Sequence, residues 1–318
     1  NLKHSKSVLL GTSALVCLAL SAPVVADDFV ITGSDNSTNG TGTTNGGTAA
    51  AIADTAINGS DTVSLGIALT TTGTIGIKTT GGTNKVTVSD AGSITTKGYG
   101  APGIYNLGST NTTTVSGSIK TEGYGADGIW NNGNFNTTTV SGSIRTTDDF
   151  AAGIYNLGSN NTTTVSGSIK TEGVISHGIR NLGDDNVTTI SGTVKATGAS
   201  STALYNISGS GNSFTLNEGA TIIGDILARD ATNNAYDATN SKLIFNLGAS
   251  TSYAYSVSGK GEGTGAGQWD FSDLDRSSQV VTTTGTGCDT TISGPSGAGN
   301  TVCNLVTAVG AANAEVQN

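Results

Sequence analysis

One sequence unit, begun again at Gly103, Gly128, Gly153 and Gly178, constrains the fold of this 318-residue chain more than any other feature. Gly103-Ile-Tyr-Asn-Leu-Gly108 returns as Gly128-Ile-Trp-Asn-Asn-Gly133, Gly153-Ile-Tyr-Asn-Leu-Gly158 and Gly178-Ile-Arg-Asn-Leu-Gly183. The second half keeps the step: Thr112-Thr-Thr-Val-Ser-Gly-Ser-Ile-Lys120 is followed by close copies at 137–145, 162–170 and 187–195. A fixed period of this size marks a repeat architecture, in which a unit buries its apolar face only against its neighbours.

Within a copy, short strand-like pieces alternate with Gly and Asn. In the copy from 153, Ile154, then Thr162 to Val165, then Ile169 to Thr171 begin or form such pieces. Alternation puts Thr163 and Val165 on one face and Thr162 and Thr164 on the other. Gly158, Gly167, Gly173 and Asn156 read as turn positions. Stacked in parallel, successive copies would align Ile104, Ile129, Ile154, Ile179 and Leu204 as one internal ladder. Val115, Val140, Val165 and Ile190 would form a second, and Ile119, Ile144, Ile169 and Val194 a third. The fold expected is all-β, a right-handed parallel β-helix with coils of ~25 residues. About eight coils fit between Ile52 and Val257, a rod on the order of 40 Å long. Two irregularities are visible. Ile94 to Ile119 is one full step, but Ile77 to Ile104 is two positions longer, which places a two-residue insertion near Asp90-Ala91. Leu216 lies one position beyond a full step from Ile190, a slip of one residue.

Composition agrees with strands and turns rather than helices: 47 Gly, 12% charged residues and no Met. Residues 1–26 read as a secretory leader, with Lys3, His4 and Lys6 before an apolar run from Val8 to Leu20 and small side chains up to Ala26. That run is too short for a bilayer-spanning helix of ~20 residues. Residues 27–50 read as a flexible Gly/Thr/Asn-rich segment, 51–258 as the β-helix, and 259–318 as a distal cap and linker in which Gln268 to Phe271 would cover the open end. Cys288 and Cys303 are expected to form a local disulfide, worth roughly 3 kcal/mol by loop closure. Two Cys and one distant His do not make a four-ligand metal site. The net charge of −9 disfavours nucleic acid and anionic membranes as partners.

Candidate chemistry is sparse. After the leader the one histidine is His177, at the turn position held by Asp127 in an earlier copy, and this reads as a solvated surface site. Gly98-Tyr-Gly-Ala-Pro-Gly103 and Gly123-Tyr-Gly-Ala-Asp-Gly128 match a dinucleotide fingerprint but recur with the structural period, so they read as turn glycines and no cofactor is expected. Asn111, Asn136, Asn161 and Asn186 satisfy N-x-S/T, as do Asn36, Asn58 and Asn206; the stacked ones read as an asparagine ladder whose amides bond from rung to rung. No catalytic or metal-binding residue is predicted. Asp127, Asp148, Asp149, Asp184 and Asp185 fall singly or in pairs at turns. Tyr105, Trp130, Tyr155, Arg180 and Tyr205 line up facing outward as a candidate binding face, with a purely structural stacked flank as the alternative. Lys120, Arg145, Lys170 and Lys195 form a basic row balanced by Glu122 and Glu172.

Gly-Ile-x-Asn-x-Gly followed by Asn-Thr-Thr-Thr-Val-Ser-Gly-Ser-Ile resembles the repeats of bacterial type V autotransporter passengers. Asn217 to Leu227, Lys242 to Leu247 and Ser256 to Gly259 are similar to the distal end of such passengers. The resemblance covers residues 75 to 275. It implies export by a signal peptide, a β-helical passenger at the cell surface, outer membrane or outside the cell, and a C-terminal outer-membrane barrel as the only membrane contact. No series of ~10-residue barrel strands follows Val257, so the chain is expected either to stop before its translocator or to be a free secreted relative. No protease triad or lipase nucleophile motif is present. The expected role is therefore non-enzymatic: adhesion, autoaggregation or display, with a host or bacterial surface protein, a glycan or a second copy as partner. The alternative is a carbohydrate-active β-helix enzyme, a lyase or hydrolase, which would gather acids in a groove.

Overall fold

The computed structural model describes residues 62–66, 68–229, 237–246 and 264–270. It also gives strand backbone at Phe29–Ile31, Ser37–Thr38, Gly42–Thr44, Ala50–Asp54, Ser252–Ser258, Gln279–Thr284 and Val302–Val309. The described residues form a parallel β-solenoid of about seven turns with ~25-residue coils, and they contain no helix. The leader expected at 1–26 lies outside them, and so does Cys288, and with it the expected disulfide to Cys303.

Each coil carries three four-residue strands, and each strand pairs in parallel with its counterpart one coil away. Three sheets result, of 13, 10 and 8 strands. The first sheet holds Ile104–Leu107 and its repeats, the second Thr112–Val115, the third Ser118–Thr121. Registers follow the sequence step: Ile104 pairs with Ile129, Val115 with Val140, Ile119 with Ile144. The three expected ladders are all fully buried, none of their side chains more than 1% exposed. Burying one such side chain is worth roughly 1.5–3 kcal/mol, and a solenoid gains it at every coil.

The irregularities also fall where the spacing puts them. Ile77 pairs with Ile104 and Val88 with Val115, both two positions longer than the step, whereas Ile94 pairs with Ile119 at the step itself. The two extra residues therefore lie between Val88 and Ile94, in the turn at Asp90-Ala91. The slip before Leu216 is a bulge: Asn181 pairs with Asn206 but Leu182 with Ser208, so Ile207 is the extra residue.

The stack reaches back into 27–50, where Phe29–Ile31, Ser37–Thr38 and Gly42–Thr44 each join one of the three sheets. At the other end Trp269 is 1% exposed and packs on Phe214, with ring centroids 6.2 Å apart. Its strand extends the second sheet beside Ser241-Lys242. The parallel order of the first sheet ends where Ser252–Ser258 meets Val302–Val309 in antiparallel register.

Asn156 is not a turn residue. It sits third in the strand Ile154–Leu157, fully buried, because a period of two sends Ile154 and Asn156 to the same inner face. Its amide is satisfied by its neighbours. Asn131 Nδ2 donates to Asn156 Oδ1 (2.9 Å), and Asn156 Nδ2 donates to Asn181 Oδ1 (2.9 Å) and Thr163 Oγ1 (3.2 Å). The rung-to-rung amide ladder is thus Asn106, Asn131, Asn156, Asn181 and Asn206, inside the core. The asparagines of the turn bond differently. The Asn111 backbone N–H donates to Asn136 Oδ1 (2.9 Å), and the same bond recurs from Asn136 to Asn161 and Asn161 to Asn186. All four are buried, so their N-x-S/T motifs serve the fold.

The turn glycines answer two demands. Gly158 has φ +138°, which L side chains rarely adopt. Gly167 has an ordinary φ, but a Cβ there would lie 2.0 Å from the Gly142 carbonyl oxygen one coil back.

Candidate binding face

Pairing in the first sheet puts Tyr105, Trp130, Tyr155, Arg180 and Tyr205 in one column, as the spacing predicts. The column begins one coil earlier, with Lys78 opposite Tyr105, a member hidden in the sequence by the two-residue insertion. The side chains are half-buried because they lie on one another. Tyr105 and Trp130 have centroids 4.7 Å apart, and Trp130 and Tyr155 stack at 5.9 Å with planes 13° apart. The Arg180 guanidinium carbon is 4.3 Å from the Tyr155 centroid. Rings in such a column turn their faces to the neighbouring coil and their edges to solvent. A ligand would meet ring edges, phenol oxygens and guanidinium. Burial pushes the phenols of Tyr155 and Tyr205 above their usual range, so they stay protonated donors. Two N–H groups here, Trp130 Nε1 and Arg180 Nε, are buried without an acceptor.

Asp127 and His177 are not solvated. They are 8% and 7% exposed, in a flanking column Pro102, Asp127, Ala152, His177, Thr202 that is buried throughout. Each reaches to the next coil and accepts a backbone N–H: Ala152 N–H to Asp127 Oδ1 (2.6 Å), Thr202 N–H to His177 Nδ1 (3.1 Å). Sequence variability made the column look exposed, whereas the turn folds inward and each polar member satisfies a donor of the following coil. Burial pushes the Asp127 carboxyl up to about 7, against the opposing pull of the Ala152 hydrogen bond and the Arg180 charge. Burial, then the Arg180 charge, pushes the His177 imidazole down to about 4. At neutral pH His177 is therefore uncharged, with Nδ1 the acceptor. Its ring packs 4.7 Å from Tyr205.

Three members of the basic row of the third sheet, Lys120, Arg145 and Lys170, are paired with glutamates. Lys120 pairs with Glu122 and Lys170 with Glu172, while Arg145 Nη2 reaches Glu172 at 2.6 Å and Lys97 reaches Glu122 at 3.5 Å. The lysine hydrogen bonds lead in holding both glutamates below the usual carboxylate range. Exposed pairs of this kind contribute ~0–1 kcal/mol each.

A second outward feature escaped the sequence reading. Tyr99 is 82% exposed and stacks on Tyr124 at 5.3 Å, which in turn lies 5.0 Å from Phe150; Val174 and Ile175 continue the exposed ridge. Tyr99 and Tyr124 keep the repeat step, but Phe150 stands one position beyond it and so falls off the column. It occupies the place of Gly100 and Gly125. Those glycines have φ +58° and +65°, and Phe150 (+59°) and Ile175 (+54°) adopt the same left-handed backbone with a side chain. For a β-branched residue this costs ~1–2 kcal/mol. Ile175→Gly is expected to be about 1 kcal/mol more stable than Ile175→Ala, since both lose the partly exposed side chain and only glycine relieves the backbone. Urea unfolding reads the difference; a glycine variant no more stable than the alanine variant would remove strain as the explanation.

The carboxylates of the turns are spread along the rod and used by the backbone. Asp149 Oδ1 accepts the Val174 N–H (2.7 Å) and Asp184 Oδ1 the Ser210 N–H (2.8 Å), each one coil away. Among the described residues no three His, Cys, Asp or Glu side chains gather as a metal site. No protein-family model matches the chain, and no curated protein or solved structure matches it either.

Proposed function

We propose that this chain is a non-enzymatic β-helical passenger of the bacterial type V autotransporter kind, exported to the cell surface or released, where it acts in adhesion, autoaggregation or display. The observation that carries the reading is the rod itself: a period that stacks identical outward positions into continuous rows, with an aromatic and cationic row on one flank and an apolar ridge on a corner. Exposed rows of this kind suit attachment to an extended partner, a surface protein, a glycan or another copy. The turn carboxylates of Asp127, Asp149 and Asp184, each engaged by a backbone N–H of the following coil, are spent on the fold rather than on a cleft.

Beads coated with the full chain are expected to adhere to bacterial or host cells, or to clump with each other. Trp130→Ala, which interrupts the column, is expected to reduce adhesion several-fold while the β-sheet circular dichroism is kept. Coated beads that neither adhere nor clump would remove the proposal. One feature favours the second reading, a carbohydrate-active enzyme: Asp127 is a carboxyl whose pKa is raised to about 7, so that about half of it stays protonated at neutral pH, the state a general acid needs. Release of reducing ends from a polysaccharide by the parent chain, abolished in Asp127→Asn, would replace adhesion with that activity.

A further inference from the structure

We infer that the outer column of the first sheet, from Lys78 through Arg180 to Tyr205, with Arg229 beside its far end, binds a carboxylated polysaccharide lying along the rod, with Arg180 as the central carboxylate contact. The inference deepens the adhesion reading and rests on it for its biological setting.

The first ground is local charge. The chain carries a net −9, yet this strip holds three cations: Lys78 opposite Tyr105, Arg180 in the column, and Arg229, whose charge is felt by the Tyr205 phenol. The acid that acts on the same group of side chains is Asp127, buried and bound to the Ala152 N–H, with Asp225 further on, in register with Thr202. Arg180 has no carboxylate within ion-pair distance among the described residues. An unpaired guanidinium held 4.3 Å from a tyrosine centroid is positioned before a ligand arrives, and its terminal Nη groups can meet a carboxylate.

The second ground is the pair of orphaned donors. Trp130 Nε1 and Arg180 Nε are buried on this one face, two coils apart, with no acceptor. Buried N–H groups in folded proteins are nearly always satisfied. Neither atom is open to solvent, so a ligand oxygen, carboxylate or hydroxyl, reaches them only as the Trp130 or Arg180 side chain turns outward.

The third ground separates a polysaccharide from a peptide. Extended peptides commonly dock by pairing with the free edge of a sheet. Along this face the backbone N–H and C=O groups are consumed by pairing between coils, so recognition falls to side chains alone. Ring edges, phenols, N–H donors and cations suit a polymer of hydroxyls and carboxylates. At ~4.8 Å per coil, Arg180 stands ~19 Å from the level of Lys78 and ~10 Å from that of Arg229, distances that a chain of sugars spans and a single sugar does not.

The test uses the full chain over immobilised polygalacturonate, over the same polymer with its carboxylates methyl-esterified, and over polyglutamate. The parent is expected to bind polygalacturonate at least tenfold more tightly than the ester, and to lose affinity as salt rises from about 50 to about 300 mM. Arg180→Gln is expected to weaken binding about tenfold or more, Lys78→Gln several-fold, and Arg180→Lys less than Arg180→Gln; Lys195→Gln on the third sheet is expected to have no effect. Equal binding to acid and ester overturns the inference. So does unchanged affinity in Arg180→Gln with an unchanged thermal melt, and so does polyglutamate binding as tight as polygalacturonate. The polymer comparison needs no variant and stands if one fails to fold. Coated beads that attach to cells without binding polygalacturonate would sink this inference alone, and polygalacturonate binding without attachment would sink the adhesion reading alone.

Discussion

Asn156→Ala is expected to destabilise the solenoid by about 3–5 kcal/mol, the summed cost of the polar groups it orphans. The truncation leaves Asn181 Oδ1 without the donor it has at 2.9 Å and Thr163 Oγ1 without the one at 3.2 Å, and it strips one of the two partners of Asn131 Nδ2. All of these groups are at 0% exposure, so water does not replace the lost partner, and each orphaned group costs ~1–3 kcal/mol. The ladder also predicts coupling. Asn131→Ala with Asn156→Ala should cost clearly less than the sum of the single changes, because the first already removes the bond the second would break. Urea unfolding followed by circular dichroism measures both effects. A single-variant cost under about 1 kcal/mol, or strict additivity, would show that the amides merely fill space.

The second large effect depends on pH. Asp127 carries a folded-state pKa of about 7 against an ordinary 3.8, raised by burial. An acid whose pKa is raised on folding stabilises the fold in full below its unfolded value, and that contribution is lost as pH climbs through the folded one. Between about pH 4 and pH 7 Asp127 alone should therefore cost the parent up to about 4 kcal/mol. Asp127→Asn keeps an oxygen to accept the Ala152 N–H but cannot ionise, so at pH 8 it should be the more stable protein by up to that amount. His177 acts in the opposite direction. Its pKa falls from 6.5 to about 4, so stability is lost as pH drops through that window. It is present in both proteins and cancels in the difference. A difference profile flat from pH 4 to 8 would mean that Asp127 is solvated after all.

The buried ladders of Ile and Val were legible because a fixed repeat period and the alternation of strand faces are both written in residue type. The insertion at Asp90-Ala91 and the bulge at Ile207 were legible as breaks in counting. The candidate column was legible in its middle and lost at Lys78, where the count had shifted. Three things were not legible, each for a physical reason. Asn156 looks like a turn former until pairing supplies amide partners on both sides, and only the stacked state does so. Asp127 and His177 look solvated because variability at a turn usually means exposure; the donors that bury them belong to the next coil, a whole repeat away in sequence. Phe150 and Ile175 look like ordinary loop residues, and only a backbone angle reveals that they stand where glycine would be easier.

The core amides also give the stack a sense as well as a period. From Asn106 to Asn181 each side chain hands its N–H forward to the next oxygen, Thr79 feeds the first with a hydroxyl, and Asn206 reaches on to the Asn212 carbonyl. Aligned dipoles of this kind polarise one another. They also make the two directions of growth unequal, as in a polar filament: a coil added on the forward side needs only to bring an acceptor, and one added behind must bring a donor.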